Sequence, residues 1–89
     1  MNVTYDRKFF KDFSIVPEYI QVSFAELSEK IKTISNIRDI QHCKQLKGTK
    51  DFYRIRIGDY RITFKIENNN TIEFRRFLPR GQVYKKQAK

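Results

Sequence analysis

Residues 52–66 read FYRIRIGDYRITFKI, and this stretch decides the fold. Apolar and polar side chains alternate on both sides of Gly58-Asp59, as they do in strands that are buried on one face only. A Gly-Asp pair between two such runs is typical of a two-residue hairpin turn. The stretch therefore predicts two antiparallel strands, Phe52–Ile57 and Tyr60–Ile66.

A third strand follows the hairpin. Residues 71–77 alternate in the same way, and the three asparagines at 68–70 can form the turn before them, because asparagine tolerates positive φ. We expect a three-residue turn, since a two-residue turn would mix the two faces of the sheet. The apolar face then carries Tyr53, Ile55, Ile57, Tyr60, Ile62, Phe64, Ile66, Ile72 and Phe74. The opposite face carries Arg54, Arg56, Arg61, Lys65 and Arg75.

The turns also predict which side chains lie opposite one another. The expected pairs are Arg56–Arg61, Lys65–Glu73, Phe64–Phe74 and Thr63–Arg75. Like charges directly opposite each other cost about 0.2–1 kcal/mol, so stability alone does not explain Arg56 facing Arg61. An anion-binding face would explain it, unless the two long side chains simply splay into water.

The N-terminal half predicts one short strand and two helices. Residues 2–5 alternate weakly, Asp6 is a good N-cap for a first helix, and Pro17 suits the first position of a second. Asn36 can end the second helix, and residues 38–50 are interpreted as a connector. Apolar residues recur at helical spacing at Phe9, Phe10 and Phe13, and again at Ile20, Phe24, Leu27, Ile31 and Ile34.

These elements predict an α+β fold in the order β-α-α-β-β-β. A helical hairpin with an apolar seam needs a surface to cover, and the small, mostly antiparallel sheet supplies one. We expect a single domain over residues 1–89, because this length leaves no room for a second core.

Charge divides the chain into two unequal halves. The 89 residues include 19 Lys and Arg against 10 Asp and Glu, a formal net charge of +9. Residues 1–43 hold six basic and six acidic side chains, whereas residues 44–89 hold thirteen and four, so the whole excess lies in the second half. A one-sided basic surface suits nucleic acid, a solubilising role, or an acidic protein partner.

Several kinds of chemistry have no support in the composition. One cysteine cannot form an intrachain disulfide, and His42, the only histidine, cannot supply an acid–base pair. His42 is interpreted as a connector residue and Cys43 as a small buried apolar residue. We expect neither a metal nor a cofactor. The chain has no transmembrane-length apolar run and no signal-peptide pattern, so we expect no membrane partner and a cytoplasmic protein.

Arginine, lysine and tyrosine on one sheet face can still cleave RNA without a metal. The 2′-oxygen attacks the adjacent phosphate when the backbone is held in line, and arginines stabilise the charge that develops. Tyr84 is the candidate base, although it can equally stack on a nucleobase or pack on the sheet edge.

Three motifs in order carry a resemblance to a known family: Leu46-Lys47-Gly48, YRIRIGDYRI at 53–62, and RGQVYK at 80–85. Together they resemble the RelE/ParE superfamily of toxins from type II toxin–antitoxin modules, and the late RGQVYK favours the RelE branch. The resemblance implies the RelE-like fold and ribosome-dependent, metal-independent cleavage of mRNA in the ribosomal A site, which inhibits translation. It also implies a small acidic antitoxin as partner, besides mRNA and ribosomal RNA.

Site residues follow from the same resemblance. It implies four catalytic residues, Arg56, Arg61, Arg80 and Tyr84. It places Arg54 near the scissile phosphate as a binding residue, and position on the basic half of the chain adds further RNA- or ribosome-binding residues: Lys47, Lys50, Lys65, Arg75, Lys85 and Lys86. In two places the chain departs from the pattern: Arg56 is a poor proton donor where relatives can carry lysine, and Pro79 replaces a frequent histidine. A ParE-like inhibitor of DNA gyrase and a catalytically weak antitoxin-binding member remain the alternatives.

Overall fold

A five-stranded sheet and two α-helices make up residues 1–68 and 70–81, the part of the chain that the computed structural model describes. The elements are β1 Asn2–Tyr5, α1 Arg7–Phe13, α2 Glu18–Thr33, a 3-10 turn Ile37–Asp39, β2 Cys43–Gln45, β3 Phe52–Ile57, β4 Tyr60–Asn68 and β5 Thr71–Pro79. The strand order is β1-β5-β4-β3-β2, with β1 parallel to β5 and the other neighbours antiparallel. The predicted α+β class is confirmed.

One strand lies where the sequence predicted only a connector. Within residues 38–50, β2 pairs antiparallel with β3 and forms the outer strand of the sheet. The element order is therefore β-α-α-β-β-β-β. His42, with φ of 58°, leads into this strand. A strand of three residues is too short to show an alternating pattern, which is why the sequence did not reveal it.

Both helices begin close to the predicted positions, but α2 ends earlier than expected. The Asp6 carboxylate accepts a hydrogen bond from the Lys8 amide at 2.8 Å and so caps α1. Pro17 occupies the N-cap of α2 rather than its first turn. The helix ends at Thr33, and Asn36 instead caps the 3-10 turn, where its side chain accepts from an amide at 2.9 Å.

The core lies between the helices and the sheet and is built largely from aromatic rings. Phe24 of α2 lies 5.0 Å from Phe74 and 5.5 Å from Phe77 between ring centroids, and Phe9 of α1 contacts all three rings. Phe64 is fully buried beneath them. The residues predicted to face the helices all belong to this core or pack against it, so the predicted face is confirmed.

The predicted strand register is correct at three of its four pairs. Arg56–Arg61, Lys65–Glu73 and Phe64–Phe74 lie opposite each other as expected. Thr63 pairs with Arg76 rather than Arg75, because the register shifts between Thr63 and Phe64. Such a bulge inserts one extra residue into β5, which lets Phe74 and Phe77 both face the core. A single extra residue of this kind cannot be recognised from the alternation of apolar and polar residues in the sequence.

The turn between β4 and β5 is also shorter than predicted. β4 continues to Asn68 and β5 starts at Thr71, so Asn68 belongs to the strand and pairs with Thr71. A second register shift, between Ile66 and Asn68, keeps the apolar side chains on one face. The two register shifts therefore keep the apolar side chains on the helix-facing side of the sheet, which the three-residue turn was expected to do.

Helix α1 contacts the edge of β5 beyond the point where β1 ends. β1 pairs with β5 only as far as Phe74. Beyond it, the Asp12 carboxylate accepts hydrogen bonds from the Phe77 amide at 2.9 Å and from Arg76 Nε at 2.7 Å. Asp12 thus ties the helix to the sheet.

Among the described residues, no helix is long and apolar enough to span a membrane.

Candidate phosphate-binding face

The sheet face opposite the helices presents a group of cations that we call the basic face: Lys44, Arg54, Arg56 and Arg61. Lys44 on β2 lies opposite Arg54 on β3, and Arg56 on β3 lies opposite Arg61 on β4. Alternate residues of one strand share a face, so Arg54 and Arg56 project to the same side as their partners. Two like-charged cross-strand pairs therefore stand side by side.

Each arginine of the second pair is positioned by the backbone around it. Arg61 Nη1 donates to the carbonyl oxygens of Gly58 at 3.4 Å and Tyr60 at 3.1 Å, which holds the guanidinium beside the hairpin turn. The Arg56 amide donates to the His42 carbonyl at 3.2 Å, while its side chain is exposed. Within the described chain, the ion pairs involve neither Arg54 nor Arg56.

Arg80 joins this end of the sheet. Its amide donates to the Asp59 carbonyl at 2.7 Å, so the residue after β5 is tied to the β3–β4 turn. Leu78 lies opposite Arg61, two positions before Arg80. The structure thus brings three predicted catalytic residues, Arg56, Arg61 and Arg80, to one end of the sheet. Tyr84, Lys85 and Lys86 lie outside the described residues.

Four predicted binding residues lie at the opposite end of the sheet. They are Lys47, Lys50, Lys65 and Arg75. The β2–β3 loop holds the first two, both exposed. Lys65 lies four residues along β4 from Arg61, which is about 13 Å at the rise of a strand. The structure therefore does not group these four cations with Arg56, Arg61 and Arg80.

Arg75 is engaged in local contacts at that far end. Its Nη1 lies 2.6 Å from Glu73 Oε1 and 3.9 Å from Asp6 Oδ2, and its Cζ lies 6.0 Å from the Phe52 ring centroid. Lys65 Nζ lies 5.8 Å from the same ring. Two carboxylates offset the charge of Arg75, so this arginine adds little to the positive potential around Arg56.

A pocket at the start of β2 contains four residues to which the sequence assigned no functional role, and two of them, His42 and Lys44, carry nitrogen donors. It has a volume of about 180 Å³ and is lined by Ile40, His42, Cys43, Lys44, Arg54 and Arg56. Lys44 and His42 fell inside the predicted connector. Recognising β2 would have revealed Lys44, because pairing with β3 places it beside Arg54.

Cys43 is neutral in this pocket at ordinary pH. Burial raises the pKa of its thiol to about 11, and the positive charge of Arg54 opposes that rise only in part. Because the thiolate is the reactive form, Cys43 is a poor nucleophile here. The described residues also contain no cluster of three His, Cys, Asp or Glu side chains that could hold a metal ion.

The sequence matches a known toxin family over nearly its whole length. Residues 3–84 match the family described as the ParE toxin of the type II toxin–antitoxin system, parDE. Toxin RelE3 of Methanocaldococcus jannaschii is 35% identical over 85 residues, which cover 94% of this chain and 96% of that protein. Putative toxin RelE1 of the same organism is 31% identical over 85 residues, covering 94% of both.

Solved structures agree with these matches. The RelB–RelE antitoxin–toxin complex from Methanococcus jannaschii contains a chain with a TM-score of 0.83 and 30% identity, covering 93% of this chain and 96% of that one. The archaeal RelE–RelB complex from Pyrococcus horikoshii gives a TM-score of 0.72 at 25% identity, with 91% and 96% covered. Fold and sequence together define a small toxin of a type II toxin–antitoxin system. The chain belongs to the ParE toxin family, and its named relatives show it to be of the RelE type.

Proposed function

We propose that this protein is a ribosome-dependent endoribonuclease that cleaves mRNA in the ribosomal A site and so inhibits translation in the cytoplasm. The observation that carries the proposal is the Arg56–Arg61 pair, two arginines directly opposite each other on the basic face, with Arg80 tied to the adjacent turn. The proposal also rests on the family to which the chain belongs.

The arginine pair suits a phosphate whose charge increases during reaction. Residues directly opposite each other in an antiparallel sheet have Cβ atoms about 4.5–5.5 Å apart. Two guanidinium groups rooted so closely can bind different oxygens of one phosphate, each through parallel N–H donors. Because arginine stays protonated, both groups remain available to stabilise the developing negative charge.

The reaction needs only the RNA and proton transfers. The 2′-oxygen loses its proton to a base and attacks the adjacent phosphorus, while the bond to the 5′-oxygen breaks. The products are a 2′,3′-cyclic phosphate and a 5′-hydroxyl. We assign the base to Tyr84, following the resemblance. Arg56 and Pro79 stand where relatives can carry proton donors, so the leaving oxygen takes its proton from solvent or from a lysine.

An acidic antitoxin is the expected partner when the toxin is held inactive. Two similar proteins of known structure, from Methanococcus jannaschii and Pyrococcus horikoshii, were solved as complexes of a RelE toxin with a RelB antitoxin. The net charge of this chain is +9, and all of the excess lies in the half that forms β2 to β5. An acidic segment placed across the basic face would neutralise that charge and exclude RNA from the Arg56–Arg61 pair.

Single-turnover cleavage of mRNA on programmed ribosomes tests the proposal. Arg61→Ala should reduce the rate about 10²–10³-fold, the usual effect of removing one donor that stabilises a transition-state charge. Lys30→Ala, which removes an exposed charge from α2, is the matched control and should cleave like the wild type. Inhibition of DNA supercoiling by gyrase, without any cleavage of ribosome-bound message, would overturn the proposal.

A further inference from the structure

We propose that the pocket at the start of β2 binds a phosphate of the RNA backbone next to the one held by Arg56 and Arg61. The proposal rests on the proposed function and extends the site to Lys44 and His42. We call this the β2 pocket; it is lined by Ile40, His42, Cys43, Lys44, Arg54 and Arg56.

The charges around the β2 pocket favour an anion. Lys44 lies opposite Arg54, and Arg56 follows two residues along β3. None of the described residues that line the pocket is acidic, and the ion pairs of the described chain do not involve these three cations. Opposite charges would stabilise such cross-strand positions, whereas like charges destabilise them. A bound phosphate would offset the repulsion between these like charges.

The rest of the pocket lining does not oppose an anion either. Ile40 is only 6% exposed and forms an apolar wall. Cys43 adds no negative charge near neutral pH, because burial raises the pKa of its thiol to about 11. The imidazole of His42 is exposed and offers an N–H donor at the rim. Cations and neutral groups thus surround a volume of about 180 Å³.

The register connects the β2 pocket to the arginine pair. Arg56 belongs to both, since it lines the pocket and lies opposite Arg61. Arg54 and Arg56 are two residues apart, about 6.6 Å along the strand. This spacing is similar to that of neighbouring phosphates in an extended RNA strand. An RNA backbone that runs along β3 can therefore place one phosphate at the pair and the next in the pocket.

Binding of a short single-stranded RNA tests the role of Lys44. A 2′-O-methyl oligonucleotide of six residues cannot be cleaved, and its affinity is measured by fluorescence anisotropy over a range of salt concentrations. Loss of one phosphate contact should make the negative slope of log K against log salt less steep by about 0.7. We expect this change in Lys44→Ala and in Lys44→Gln, but not in Lys30→Ala. Equal slopes in Lys44→Ala and Lys30→Ala would overturn the proposal.

Cys43 provides an independent reporter, because it is the only cysteine in the chain and it lines the pocket. Because Cys43 reacts slowly near neutral pH, its alkylation by iodoacetamide is followed at pH 9, where the oligonucleotide should slow the reaction at least threefold at saturating RNA. Inorganic phosphate at the same concentration should leave the rate unchanged. An unchanged rate with RNA, or equal protection by phosphate alone, would contradict an RNA subsite.

The two proposals fail in different ways. Protection of Cys43 and a reduced salt slope in Lys44→Ala, without any cleavage of ribosome-bound message, would support the pocket and overturn the nuclease. Normal cleavage by Lys44→Ala, with no protection of Cys43, would overturn the pocket and leave the nuclease standing. Thermal unfolding of each variant checks that the fold is intact.

Discussion

Replacing Asp12 by alanine should destabilise the fold more than any other single charge removal on α1. The Asp12 carboxylate accepts from Arg76 Nε at 2.7 Å, from Arg76 Nη2 at 3.2 Å and from the Phe77 amide at 2.9 Å. The side chains of Asp12 and Arg76 are only 13% and 17% exposed, and Phe77 is buried. Asp12→Ala therefore removes an ion pair and leaves a buried amide without its acceptor.

The size of the effect follows from these contacts. A hydrogen bond to a charged group contributes about 1.5–3 kcal/mol, and an unsatisfied buried donor costs about 1–3 kcal/mol. Breaking one side of a buried ion pair typically costs about 3–5 kcal/mol. Because the pair retains some solvent contact, we expect Asp12→Ala to lower the free energy of unfolding by about 3 kcal/mol, the lower end of this range. Asp12→Asn keeps an acceptor for the Phe77 amide and should lose about half as much.

Urea unfolding followed by circular dichroism measures the change. The free energy of unfolding should fall from wild type to Asp12→Asn to Asp12→Ala, with the slope against urea unchanged. Glu29→Ala is the control, because it breaks an exposed pair in which Glu29 lies 2.7 Å from Lys32, and it should leave the midpoint unchanged. Loss of less than about 0.5 kcal/mol in Asp12→Ala would refute the importance of this edge contact.

Three further perturbations have defined outcomes. Arg56→Thr should raise the free energy of unfolding by about 0.2–1 kcal/mol, because it removes a like charge opposite Arg61, while single-turnover cleavage slows; lower stability in urea would contradict this reading. Burial raises the pKa of Cys43 to about 11, so the folded state holds this proton more tightly than the unfolded chain does. The neutral thiol therefore contributes its full stability below about pH 9, and this contribution is lost between pH 9 and 11. Over that range the free energy of unfolding in urea should fall more steeply for the wild type than for Cys43→Ala. Parallel pH profiles of the two proteins would rule this out. Gly58→Ala should lose more stability in thermal melts than Gly48→Ala: both glycines have positive φ, but only at position 58 would a Cβ lie 3.1 Å from a side chain of α2. Equal losses would show that α2 moves aside at no cost.

The sequence predicted the parts of the fold that repeat over several residues. The alternation in residues 52–66 fixed two strands, their shared face and the Arg56–Arg61 pair. The helical spacing from Ile20 to Ile34 predicted α2 and its buried side. Such patterns are visible in the sequence because all residues of one element pack against, or face away from, the same surface. Asp6 was also recognisable, since a capping side chain acts within one turn of helix.

Features that depend on contacts distant in sequence were not predictable. β2 exists because it pairs with β3, not because three residues favour a strand. The bulge in β5 depends on its pairing with β4, and the contact between Asp12 and Arg76 joins residues that are far apart in sequence. Lys44 was therefore not recognised as part of the basic face, and the pairing of Arg75 with the carboxylates of Glu73 and Asp6 was not foreseen.

Mapping the 5′ ends of mRNA after induced expression tests the central proposal most directly. The nuclease account predicts new 5′-hydroxyl ends at codon-dependent positions, only in messages that are being translated, and their loss in Arg61→Ala. A message that carries the same sequence without a start codon should remain intact. Cuts that appear equally in the untranslated message, or growth arrest with no new ends and reduced supercoiling, would contradict it.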